Sequence, residues 1–115
     1  MNSADLPFMP ILPQVVLTLE EERAKALGYI DHITSSKILG KLPQHTQTNL
    51  LSRFVELITL GETATVEALA IQTKWDWVKS IRIANHTVVA AITIATSLPE
   101  IALLIQGYVD TLASM

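Results

Sequence analysis

Apolar residues recur along most of this chain at intervals of three and four, the spacing of one face of an α-helix. Leu19, Ala26, Leu27, Ile30, Ile33 and Ile38 carry the first run. It opens on Thr18-Leu19-Glu20-Glu21, a capping box, in which the threonine hydroxyl accepts from the main chain three positions on and the glutamate reaches back. Glu20–Glu22 also sit at the positive end of the helix dipole. Gly40, three residues before Pro43, is a stop signal, so the pattern predicts a first helix over 19–39. Leu50, Leu51, Phe54, Leu57 and Ile58 form a second apolar face, which predicts a helix over 44–60 closed by Gly61. Val66, Leu69 and Ala70 predict a short helix over 64–73. Asp76 is then placed to cap a longer helix over 77–96, with Val78, Ile81, Asn85, Val88, Ile92 and Ala95 on one side. Ser97-Leu98-Pro99-Glu100 forms a second capping box with proline in the first turn, where it is tolerated. The last helix follows over 98–113 through Ile101, Leu104, Ile105, Tyr108 and Leu112.

Residues 1–17 do not share this period. Proline recurs at 7, 10 and 13; it fixes φ near −65° and removes a donor, so the segment reads as an extended arm. Leu6, Phe8, Met9, Ile11 and Leu12 make the arm too apolar for a solvated tail. Two destinations are open: the side of its own bundle, or a neighbouring subunit. Between the helices the connections are two to six residues, as in compact helical domains. No period-two run bounded by hairpin turns occurs. The predicted fold is therefore all-α: a single domain over 18–115, a compact bundle of about five helices, preceded by the extended proline-rich arm over 1–17.

Composition sharpens this picture. Half of the 115 residues are apolar and only 17% are charged, against about 25% in ordinary soluble domains. Intrinsic disorder is excluded, since it requires the opposite balance. Eight Lys and Arg against eleven Asp and Glu, a net charge of −3, exclude a broad basic surface for nucleic acid. The absence of cysteine excludes disulfides, thiolate metal sites and a cysteine nucleophile. No secretory signal opens the chain: the first basic residue is Arg23, and the prolines interrupt the early apolar stretch. A cytoplasmic location is the default expectation. Val88–Ile105 carries one charge in 18 residues and is the one stretch that tests it. Pro99 and Glu100 fall near its middle and read as a break between two helices; a small membrane protein is accordingly the third reading of the chain.

Chemistry finds little to use. His32, His45 and His86 are far apart, and none has a ligand-type partner at the spacing of H-E-x-x-H. Asp31 and His32 are adjacent on a helix, so their side chains diverge. The four glycines, at 28, 40, 61 and 107, are isolated and make no phosphate loop. No G-x-S-x-G elbow occurs. The sequence therefore yields no catalytic, cofactor-binding or metal-ligating residue, no cofactor and no small-molecule substrate. The expectation is a non-enzymatic protein.

The stretch 65–82 resembles a helix-turn-helix pattern, with a second helix that would lie in the major groove. Lys74, Lys79 and Arg82 would contact phosphates and Trp77 would stack or wedge. Lys74 stands where the turn usually has glycine, and Ser80 where the pattern wants a buried aliphatic. Trp75 and Trp77, the two tryptophans, point about 200° apart on a helix, which leaves two readings: one in the core with the other at the surface as a contact residue, or both covering the end of the bundle.

The final third is more informative. Of the 33 residues from Ile83 to Met115, 20 are apolar and only Glu100 and Asp110 are charged. A helix that is apolar all round is buried all round, and a domain of this size cannot bury two. The expected function is association: a small helical subunit of a homo-oligomer or of a larger assembly, a nucleoprotein included, with Phe8, Ile11, Ile101, Leu104, Ile105, Tyr108 and Leu112 at the partner interface. The alternative is a helix-turn-helix DNA-binding regulator that dimerises through its apolar C-terminal helices. Asn85, on an apolar face, is placed to specify register.

Overall fold

The computed structural model describes residues 18–115, and these form an all-helical fold without a strand. The helices are four: α1 (Leu19–Lys41), α2 (Gln44–Thr59), α3 (Val66–Ile94) and α4 (Leu98–Ala113). The predicted arm, with Phe8 and Ile11, lies outside the described residues. Among the described residues no helix is long and apolar enough to cross a membrane.

The ends of the helices follow local chemistry. At α1 both halves of the predicted capping box form: Glu21 N–H donates to Thr18 Oγ1 at 3.1 Å and Thr18 N–H donates to Glu21 Oε1 at 2.9 Å. Gly40 does not stop α1, which continues to Lys41 and is capped by Leu42. Gly61 does close α2, at φ 75°. With Gly61 N–H on Ile58 O and Glu62 N–H on Leu57 O, the end is a Schellman motif, whose left-handed residue favours glycine. At α4 only half of the predicted box forms. Ser97 caps Glu100 N–H, but the Glu100 carboxylate reaches one residue further back, to Thr96 N–H at 3.0 Å.

The count of five helices is corrected by α3. The two helices predicted over 64–73 and 77–96 are one helix of 29 residues. Lys74-Trp75-Asp76 contains no glycine or proline to break it, and Asp76 is satisfied inside it, accepting from Gln72 Nε2 one turn earlier at 2.9 Å. The N-cap is Thr65, whose hydroxyl accepts from Ala68 N–H. The turn that the helix-turn-helix reading requires is absent.

Helices α1, α3 and α4 pack against one another, and α2 packs chiefly along the N-terminal part of α3. The main core gathers Ile30, Ile81, Ile92, Ile101 and Val78 with Tyr108 and Leu112. A smaller core of Leu57, Ala68 and Ile71 seals the α2–α3 pair, and Trp75 packs against both.

Polar ties pin the three-helix bundle at three levels. At one end the Arg23 guanidinium of α1 donates to three carbonyls at the C-terminal end of α3: Ile92 at 2.6 Å, Ala95 at 2.9 Å and Thr93 at 3.1 Å. In the middle, the buried Thr34 hydroxyl donates to Ile30 O at 2.7 Å. Its one proton thus used, it accepts from Asn85 Nδ2 of α3 at 3.1 Å and from the Tyr108 hydroxyl of α4. Asn85 therefore joins α3 to α1 inside the chain. At the far end Trp77 Nε1 donates to Met115 O at 3.0 Å, and Lys41 Nζ lies 4.3 Å from the Trp77 ring centroid.

Candidate interaction surface

Helical geometry divides the apolar residues of α3 into two opposed rows. Val78, Ile81, Val88 and Ile92 face the core and are buried. Ile83, Thr87, Ala90 and Ile94 recur at the same helical spacing on the other side, and all four are exposed. Ile94 is 77% exposed and Ile83 57%. On α4 the inner row is Ile101, Tyr108 and Leu112, while Leu103, one turn from Gly107 on the outer side, is 74% exposed. Between the outer rows runs a groove of about 400 Å³, in which Ala84, Thr87 and Ala91 of α3 face Leu103, Gly107 and Thr111 of α4. None of its lining residues is charged. A Cβ added at Gly107 would meet nothing within 4 Å, so the glycine leaves the groove open.

These positions revise the predicted interface. Ile101, Tyr108 and Leu112 are buried in the chain's own core, although Tyr108 also forms part of the floor of the α3–α4 groove. Leu104 and Ile105 are half-buried against that core, and Leu104 also lines the α3–α4 groove. The large apolar residues of this region that stand exposed are Ile83, Ile94, Leu98 and Leu103. Their signal in the sequence is the all-round hydrophobicity of 83–95, which says that two sides need cover but not which side the chain covers itself.

The α2–α3 hairpin has its own asymmetry. On one flank Arg53 of α2 makes a bidentate pair with Glu67 of α3, Nε to Oε2 at 2.7 Å and Nη2 to Oε1 at 2.8 Å, and also reaches Glu56 at 2.6 Å. These contacts hold the Glu67 carboxylate below its ordinary range, chiefly through its hydrogen bonds to Arg53, and raise the pKa of Arg53 in return. The other flank is apolar: Leu51, Val55 and Ile58 of α2 line up one turn apart, each about half exposed.

The predicted nucleic-acid residues are not brought together. Lys74, Lys79 and Arg82 are exposed, but on one continuous helix they spread over an arc of about 140°. Trp77 is half-buried, with its N–H on Met115 and Lys41 against its ring, so it is engaged within the bundle. Trp75 is half-buried as well, between the two cores. Of the two readings, the division into one core and one surface tryptophan does not hold and both are part of the packing, because α2 covers one side of α3 and the α1 and α4 ends cover the other. Among the described residues no three of His, Asp and Glu gather closely enough to hold a metal ion. Comparison with protein families, curated proteins and solved structures finds no match to this chain.

Proposed function

We propose that the chain is a non-enzymatic helical subunit that works by association, packing the outer α3–α4 face against a second copy of itself. The observation that carries this reading is the uncharged groove of small residues flanked by exposed Ile83, Ile94 and Leu103. Fully burying an aliphatic side chain contributes about 1.5–3 kcal/mol, and these three are more than half exposed. In a two-fold dimer each counts twice, a gross gain of roughly 5–12 kcal/mol, the same order as the entropic cost of association. The absence of charge favours a self-complementary contact, since like charges do not meet across the axis.

The margin is narrow enough for one substitution to decide. Size-exclusion chromatography with light scattering on the full chain is expected to give a multimeric mass that does not fall as salt rises. Leu103→Arg and Gly107→Trp should give monomers with unchanged helical circular dichroism, because neither side chain faces the core. A wild-type chain that stays monomeric at high concentration would sink the reading. Association within a larger nucleoprotein rests on the exposed Lys74, Lys79 and Arg82. It would show in the same run as nucleic-acid absorbance that elutes with the native protein and leaves steeply with salt.

A further inference from the structure

The outer row of α3 extends beyond Ile83. Leu69, Thr73, Asp76 and Ser80 continue it toward the N-terminus in the same alternating steps of four and three residues, and all four are exposed. Leu69 stands two positions after Glu67, so it lies on the flank of the α2–α3 hairpin opposite the Arg53–Glu67 pair. That is the flank of Leu51, Val55 and Ile58. The apolar side of the hairpin and the α3–α4 groove thus form one face, joined along α3. The hydroxyls of the row are satisfied within the helix: Thr73, Ser80 and Thr87 donate to the carbonyls of Leu69, Asp76 and Ile83 at 2.9, 3.0 and 3.0 Å. They can be covered without stranding a donor.

We infer that the second copy covers this whole face in one antiparallel register, α3 lying on the partner's α3 about a two-fold axis between Ile81 and Arg82. The inference rests on the association argued above and fixes its geometry. Steps that alternate four and three read the same in both directions, so reversal lays the row on itself. Leu69 then meets the partner's Ile94, Thr73 the partner's Ala90, Asp76 the partner's Thr87 and Ser80 the partner's Ile83. Asp76, the one charged residue of the row, selects this direction. A parallel pair would set it on its own copy. The antiparallel pair holds the two carboxylates about 16 Å apart along the helix, about twice the screening length at physiological salt.

Area and topology support the same register. From Leu69 to Ile94 the row is about 38 Å long, and a second helix beside α3 at each level makes the face about 20 Å wide, roughly 750 Å² per copy. Two copies together bury about 1,500 Å², the size of a stable specific interface. The α3–α4 groove alone, about 17 Å long between Ile83 and Ile94, gives less than half of that. It falls below the roughly 1,000 Å² that a specific contact needs. Seen from the row, α2 packs on one side of the N-terminal half of α3, through Ala68 and Ile71. On the other side, along the C-terminal half, α4 lies across Ala84 and Ala91. Two-fold reversal brings the partner's α2 beside residues 87–94, on the side that α4 leaves open, with its exposed apolar flank toward Ala90 and Ile94. Each copy supplies the fourth helix that the other lacks.

The chain contains no cysteine, so introduced thiols report the register in the full-length protein. Thr73→Cys with Ala90→Cys in one chain should give a disulfide-linked dimer under mild oxidation, about tenfold or more faster than either single variant. Within one chain, and between like positions of two copies, these sites are about 25 Å apart along α3, too far for a disulfide. Val55→Arg should raise the concentration at which the dimer dissociates by about tenfold or more. Its helical circular dichroism should be unchanged, because Val55 is half-exposed in the single chain. A wild-type chain that stays monomeric overturns this inference together with the association it rests on. A stable dimer whose single variants cross-link as fast as the double, or which Val55→Arg leaves equally tight, overturns the register alone.

Discussion

Arg23 is the residue on which the end of the bundle most depends. Its guanidinium holds three carbonyls at the C-terminus of α3, and its side chain is only 14% exposed. Arg23→Met keeps the aliphatic stem packed and removes the donors. The Thr93 carbonyl is exposed and can turn to water; the bonds to Ile92 and Ala95 are partly buried. Leaving a buried acceptor unsatisfied costs about 1–3 kcal/mol, and the lost charge at the negative end of α3 adds to it. The Ile92 carbonyl keeps its bond from the Ala95 N–H, so its loss is partial; with the Ala95 carbonyl and the lost charge the cost is about 2–4 kcal/mol. For a chain of this size that is roughly 8–16 °C in Tm, at about 4 °C per kcal/mol. Arg23→Lys should recover part of the loss, since one ammonium cannot fork across three carbonyls as a guanidinium does. Glu20→Ala should change little, because Glu20 is 80% exposed and its pair with Arg23 is long, at 3.4 Å. Urea and thermal unfolding followed by far-ultraviolet circular dichroism measure all three. A loss below about 0.5 kcal/mol in Arg23→Met, or an equal loss in Glu20→Ala, would refute the reasoning.

The Thr34 node makes a second expectation, because Thr34 accepts from two partners. Thr34→Val should cost about 2–4 kcal/mol and Tyr108→Phe about 1, while the double variant should cost less than their sum, as measured by a double-mutant cycle in urea. Glycines test the helix readings: Gly28→Ala and Gly107→Ala, with open space for a Cβ, should each stabilise by about 0.5–1 kcal/mol. Gly61→Ala, at φ 75°, should destabilise in the same urea assay. Glu21 predicts a pH dependence. The Thr18 main-chain N–H, and secondarily the Thr18 side chain, hold its carboxylate below the ordinary 4.5. Its contribution is therefore present above pH 4.5 and is lost as pH falls through the lower folded value. Glu21→Gln should flatten the acid limb of a Tm-against-pH curve between pH 5 and 3, and an unchanged limb would count against the capping box.

Much of the fold was legible from short-range signals. Thr18 and Glu21 form their cap as the spacing predicts, and Gly61 adopts the left-handed turn that ends α2. Such signals act within one turn and need nothing from the rest of the chain. Asp76 shows where they fail. An aspartate before a tryptophan and a valine reads as an N-cap, but the same carboxylate is satisfied by Gln72 one turn back inside an unbroken helix. With neither glycine nor proline between 73 and 77, the sequence contains no breaker, and packing of Trp75 and Trp77 on both sides of α3 settles continuity. Arg23 left no readable sign for the opposite reason: its partners stand about 70 residues away, and only the return of α3 beside α1 creates them.

The interaction surface shows the same limit in a sharper form. A helix that is apolar on every side has no preferred direction, so its sequence states how much surface needs cover without stating what covers it. The answer depends on how many helices of the same chain reach it. Here α1 and α4 cover one side of the C-terminal part of α3, which consumes Val88, Ile92, Ile101, Tyr108 and Leu112. Ile83, Ile94 and Leu103 are left because α2, the one remaining helix, packs chiefly on the other end of α3. Had α2 folded back over residues 83–94, the groove would be filled and the same sequence would make a closed four-helix bundle. The short link from Lys41 to Gln44 instead starts α2 at the Trp77 end of the bundle, where it continues beside α3 residues 68–75. The open face is thus a consequence of topology: a two-residue connection directs α2 away from the apolar third of the chain and leaves the outer side of that third uncovered by the chain's own helices.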